Sequence, residues 1–117
     1  MHGMPRTVLV VDDSAAFRST ARMLLTARGY EVVGVAEDVA SGLRAARDLQ
    51  PDCVLLDVNL PDGDGVTVAG DFGADVVLVS TLDAAALGDA VERSGARGFV
   101  PKAELASPRL VELLGPP

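Results

Sequence analysis

Asp12, Asp13 and Asp57 carry carboxylates, Ser80 a hydroxyl and Lys102 an ammonium; the acids and the serine follow short aliphatic runs, and Lys102 follows Gly98-Phe99-Val100-Pro101. Three acids brought to one place repel one another and raise each other's pKa unless a cation sits among them. With oxygen donors and no His or Cys in the set, the cation that suits them is Mg²⁺. It takes a few carboxylates and keeps waters and a substrate phosphate as its other ligands. Lys102 is the only lysine, the other nine cationic side chains being arginines. One compact, flexible ammonium suits a single phosphoryl or carboxylate oxygen better than a planar guanidinium fork does.

Little other chemistry is available. The single Cys53 allows no internal disulfide and no thiolate cluster, which fits a reduced, cytoplasmic setting and a small buried hydrophobe. The one histidine, His2, falls at a terminus expected to fray. Zinc sites, cysteine–histidine catalysis and a Ser-His-Asp arrangement are thereby excluded. The net charge of −7 argues against direct nucleic-acid binding and against docking on an anionic membrane. The apolar run Val8–Val11 is far short of the ~20 residues of a membrane span. Pro61-Asp62-Gly63-Asp64-Gly65 lacks the distant Glu of a calcium-binding EF-hand loop.

The elements that must position these residues alternate regularly. Apolar runs at 7–11, 31–36, 53–56, 76–79 and 98–100 read as strands, the first, third and fourth buried on both faces. Between them, Ser14 or Asp13 caps a helix carrying Phe17, Ala21, Leu24 and Leu25 at helical spacing, and Asp38 caps a second reaching about Leu49. A fourth helix is expected from Asp83 to Arg93 and a last one from about Glu104 to Leu114. Only a stub fits between Gly65 and Asp75. Strand–helix alternation predicts βαβ crossovers and a parallel sheet covered on both faces, whose functional residues collect beyond the carboxyl ends of the strands. The whole chain, 1–117, is expected to be one domain with its core over about 6–114.

With these motifs in place, the sequence resembles the receiver domain of bacterial two-component response regulators. The matching pieces are Val8-Leu9-Val10-Val11-Asp12-Asp13-Ser14, Asp57-Val58-Asn59-Leu60-Pro61-Asp62-Gly63-Asp64-Gly65, Val76-Val77-Leu78-Val79-Ser80 and Gly95-Ala96-Arg97-Gly98-Phe99-Val100-Pro101-Lys102. The resemblance implies a flavodoxin-like α/β three-layer sandwich of five βα units, a (βα)5 fold with sheet order 2-1-3-4-5. It implies that Asp57 accepts a phosphoryl group from a sensor histidine kinase or phosphotransfer protein. It implies Mg²⁺ on Asp13, Asp57 and the Asn59 carbonyl, with Asp12 bound through water, and Lys102 neutralising the transferred group. Ser80 would turn to the aspartyl phosphate and Phe99 would turn inward with it. This would switch a face built from the fourth helix, the fifth strand and the last helix toward a downstream partner. Pro61 and Gly65 would shape the acceptor loop.

On this reading the chain is not an enzyme beyond its own phosphoryl transfer and autodephosphorylation. The alternatives are a receiver-shaped adaptor that is never phosphorylated and a Mg²⁺-dependent phosphohydrolase. The latter is disfavoured because Asn59 stands where its usual second acid would be. The chain departs from the family where Ala103, not proline, follows Lys102, where Thr81 replaces a smaller residue, and in its short third and last helices. The short helices weigh against the usual dimer surface and leave a weak homodimer open. The output is expected to be a separate partner protein or an effector domain beyond Gly115-Pro116-Pro117.

Overall fold

The computed structural model describes residues 4–82 and 84–117; the expectations placed on His2 and on Asp83 as a helix start lie outside the described residues. Strands β1 (Thr7–Val11), β2 (Glu31–Ala36) and β3 (Cys53–Asp57) are followed by a two-stranded antiparallel hairpin, β4 (Asn59–Leu60) and β5 (Gly63–Asp64). Strands β6 (Asp75–Ser80) and β7 (Gly98–Pro101) complete a five-stranded parallel sheet in the order β2-β1-β3-β6-β7. Counted along that sheet, this is the expected 2-1-3-4-5.

Helices α1 (Ala15–Ala27) and α2 (Val39–Leu49) match their sequence signals. Ser14 caps α1 by accepting from Phe17 N–H at 3.2 Å, and Asp38 and Ser41 form a reciprocal capping box on α2. The sheet's alternating side chains divide the core in two. Val8, Val10, Leu55, Val77 and Val79 pack with Ala21 and Leu25 of α1 and with the C-terminal helix. Leu9, Val11, Val54, Leu56 and Leu78 pack with Val39 and Ala46 of α2, Phe72 and Phe99. Cys53 is buried with no disulfide partner, consistent with a packing role.

The third unit is the expected stub. Helix α3 (Gly65–Val68) is a single turn that runs on into a 3₁₀ turn at Ala69–Asp71. Phe72, 5% exposed, is buried in the core on the α2 side of the sheet.

Two helices differ from the sequence reading. The fourth is not continuous: α4 (Ala84–Leu87) and α5 (Ala90–Arg93) are separate turns. Gly88 between them takes φ +58°, a left-handed conformation that interrupts the helical ladder. The last helix, α6 (Pro108–Leu114), starts later than expected, and Lys102–Glu104 forms a 3₁₀ turn instead. Pro108 has no N–H, and its ring would clash with the carbonyl of the residue four back in a continuing helix. It therefore stands at the first turn.

Candidate functional site

The register of the parallel sheet sets the site. Val11 pairs with Leu56, so Asp12 and Asp57 come one residue later on adjacent central strands. Asp12 N–H still donates to Ala36 O at 2.9 Å, extending the β1–β2 ladder and fixing its backbone. Both acids are buried, Asp12 at 0% and Asp57 at 5% exposure. Lys102 follows β7, yet its Nζ reaches across β6 to lie 2.6 Å from Asp12 Oδ2 and 3.5 Å from Asp57 Oδ2. The Lys102–Ala103 peptide is trans, and the ammonium reaches both acids in that geometry.

The remaining acid oxygens are held locally. Asp12 Oδ1 accepts from Ser14 N–H at 2.8 Å, and Asp57 Oδ1 accepts from Asn59 N–H at 3.2 Å. Burial pushes the Asp57 carboxyl up to about 6, and the neighbouring Asp12 carboxylate adds to the rise. Lys102 and the Asn59 N–H pull it back. An acid held so far above its ordinary value beside a second acid marks a place built to receive positive charge.

Asp13 is exposed at the rim, and one carboxylate oxygen each from Asp12, Asp13 and Asp57 lies within 4.8 Å of the others. Asp12 Oδ2 is fully buried, and the Lys102 ammonium at 2.6 Å is its partner. Three clustered acids facing a single ammonium, with oxygen the only donor type, fit a small hard cation such as Mg²⁺. Asp12, Asp13, Asp57 and the Asn59 backbone are the groups that could hold it.

Ser80 is fully buried, next along β6 from Val79, which pairs with Asp57. Its Oγ accepts from Leu82 N–H at 3.1 Å, so the hydroxyl proton remains available to donate. Phe99, 7% exposed, packs in the second core cluster with Leu87 and Val91 beside it, so the ring is already inward. Thr81 is exposed.

Arg18, Phe17 and Asp62 support the site without having carried a site signal in the sequence, whereas Gly65 was expected to shape the loop after Asp57. Arg18 donates to the Asp12 carbonyl at 2.8 Å. The Phe17 ring lies under the ammonium of Lys102, 4.4 Å from centroid to Nζ. Asp62 accepts from Val39 N–H at 2.7 Å and Ala40 N–H at 3.0 Å, tying the hairpin after Asp57 to the start of α2. Gly65 donates to Val58 O at 2.7 Å, and a Cβ there would fall 2.3 Å from the Asp57 carbonyl oxygen. Phe17 read as core because it belongs to the apolar stripe of α1. Asp62 gave no signal because its partner Val39, at the start of α2, lies 23 residues earlier, and only the fold brings them together.

Residues 8–114 match the family described as the response regulator receiver domain. The chemotaxis protein CheY of Thermotoga maritima is 29% identical over 116 residues, 95% of this chain and 96% of that protein. The protein-glutamate methylesterase/protein-glutamine glutaminase of Lawsonia intracellularis is 40% identical over 103 residues, 81% of this chain but 29% of that protein. Against a putative transcriptional regulator of Pseudomonas aeruginosa, 33% identical, the match likewise takes in 53% of the relative. Among solved structures, the signal receiver domain of the putative response regulator NarL from Mycobacterium tuberculosis superposes with a TM-score of 0.81 at 29% identity. That match covers 97% of this chain and 99% of the other. A chain of the CheX–CheY–BeF3–Mg²⁺ complex from Borrelia burgdorferi has a TM-score of 0.81 at 25% identity, covering 97% and 92%. Among the described residues no helix is long and apolar enough to cross a membrane.

Proposed function

The chain belongs to the response regulator receiver family of two-component signalling, and from that premise we propose that it is switched by phosphorylation of Asp57. The observation that carries this reading is the meeting of Asp12, Asp13, Asp57 and Lys102 at the carboxyl end of the sheet. Asp57 is the acceptor. One of its carboxylate oxygens forms the new bond to phosphorus while the donor's P–N bond breaks and its electron pair leaves with the imidazole. The donor is a phosphohistidine on a sensor kinase or phosphotransfer protein.

Bound Mg²⁺ supplies positive charge against the phosphoryl oxygens, and Asp12, Asp13, Asp57 and the Asn59 carbonyl are the groups proposed to hold it. Lys102 supplies the second positive charge from the β7 side. Arg18 keeps the Asp12 backbone in place through its carbonyl. Ser80 gives its free hydroxyl proton to the aspartyl phosphate, and the Leu82 N–H it now holds is released. That movement, with Phe99 packed behind it, alters the face made by α4, α5, β7 and α6, where a partner protein or an effector domain reads it.

Ala103 in place of proline motivates the unphosphorylated-adaptor reading, and Lys102 reaching both buried acids weighs against it. The test is Mg²⁺-dependent labelling by acetyl phosphate or phosphoramidate, followed by mass spectrometry. Wild type should gain one phosphoryl group, lost on chelation and in Asp57→Asn. Equal labelling of Asp57→Asn, or partner binding indifferent to phosphodonor and Mg²⁺, would sink the proposal.

A further inference from the structure

Lys102 is held on two sides by groups of different kinds. On one side stand the Asp12 and Asp57 carboxylates at 2.6 and 3.5 Å. On the other is the face of Phe17, 4.4 Å from Nζ. A cation over an aromatic face is attracted by the ring's quadrupole, more strongly where water is partly excluded. The Lys102 side chain is 17% exposed. Beyond the ring, the groove between α1 and the segment after β7 is lined by Ala16, Thr20, Ala103 and Ala106, with Leu24 and Leu105 the larger side chains. These are apolar or neutral groups, and none of them offers charge or a ring face to the ammonium. The backbone of that segment is secured at its far end, where Arg28 donates to the carbonyl of Ala106 and, at 3.1 Å, to that of Ser107. Its near end, at Lys102, has the Phe17 ring.

We infer that Phe17 is a positioning residue for Lys102, holding its ammonium over the acceptor site through a cation–π contact. The inference rests on the reading of Lys102 as a group that acts on the phosphoryl oxygens. Any cation entering the site competes for the carboxylates, whereas it does not compete for the ring. The ring is thus the restraint on Lys102 that survives when the acids turn to a metal or to a new phosphate. Without it, the flexible four-carbon stem samples more rotamers, and fewer of them place Nζ at the acceptor.

Because Lys102 is the only lysine, lysine-labelled protein gives one set of side-chain resonances, assigned without ambiguity. Its ε-methylene protons should be shifted upfield by the ring in wild type and return to ordinary values in Phe17→Leu. Phenylalanines with one, two and three ring fluorines at position 17 keep the shape while weakening the quadrupole. Labelling by acetyl phosphate should slow in the order of fluorine number, reaching about three- to tenfold for the most fluorinated ring. A wild-type resonance at its ordinary position overturns the inference. So do labelling rates flat across the fluorinated series, which would make the ring a packing wall only. If wild type itself takes no label, the phosphoacceptor reading fails while this inference is still decided. The order parameter of the Lys102 ε-methylene should then fall along the same series, and an unchanged value refutes the contact.

Discussion

Replacing Asp57 by asparagine should make the protein more stable at neutral pH while removing its proposed function. Burial and the Asp12 carboxylate hold the Asp57 carboxyl at about 6, against an ordinary value of 3.8. Below 3.8 both folded and unfolded chains carry the proton. Between 3.8 and about 6 the unfolded chain has released it and the folded chain has not, so stability falls as pH rises through this window and then levels. At about 1.4 kcal/mol per pKa unit, the fall amounts to about 3 kcal/mol. The amide introduced by Asp57→Asn carries no charge to bury and can still accept the Asn59 N–H, but it gives up the Lys102 ion pair. The expected net gain at pH 7.5 is about 1–3 kcal/mol, or a Tm higher by roughly 5 °C or more. Urea titrations of both proteins at pH 4.5, 6 and 7.5 measure it, with equal m values confirming that the unfolded state is unchanged. Saturating Mg²⁺ should narrow the gap by stabilising wild type, about 2.7 kcal/mol at one hundred times its Kd. An Asp57→Asn protein less stable than wild type at pH 7.5, or a difference that is the same at pH 4.5 and 7.5, refutes the reasoning.

Three other perturbations test the surroundings of the acid pair. Lys102→Met leaves Asp12 and Asp57 without their cation and should cost about 3 kcal/mol at pH 7.5, less at pH 4.5 where Asp57 is protonated, by the same urea titrations. Gly65→Ala forces the Asp57 backbone to move, since its Cβ would meet the Asp57 carbonyl oxygen at 2.3 Å. Mg²⁺ affinity by titration calorimetry should drop about tenfold or more. Asp62→Ala uncovers the Val39 and Ala40 amides, costing about 1–2 kcal/mol. Those two amides should exchange with deuterium faster while the β1 and β3 amides remain protected.

The strand ends are legible because Val8–Val11, Cys53–Leu56 and Val76–Val79 are buried on both faces, so their sequences are apolar without a break and each polar residue that follows stands out. That alone locates Asp12, Asp57 and Ser80. Lys102 is legible as a strand-end residue, but its closer approach to Asp12 than to Asp57 depends on how β7 and its following turn direct the stem. Phe17 is ambiguous in principle, because the apolar stripe of α1 faces the core and also borders the site at its first turn. The break at Gly88 is hidden by a surrounding run that otherwise favours helix. Pro108 is the opposite case, a start signal lying within a stretch whose apolar spacing reads as helix from Glu104 onward. The β4–β5 hairpin has two-residue strands, too short to show a period of two.

The abbreviated third unit shortens the path from the Asp57 backbone to the interior. A helix of ordinary length would absorb a displacement at its first residue over several turns. Here Gly65 sits against the Asp57 carbonyl, and seven residues later Phe72 is embedded beneath α2, where a Cβ on Gly42 would come within 3.3 Å of its ring. One helical turn and a 3₁₀ turn are all that separate the two. The segment thus forms a short link between the Asp57 backbone and the α2 side of the core. Any movement of the Gly65 backbone would have only these two turns to cross before meeting Phe72, on the side of the domain away from α1 and α6.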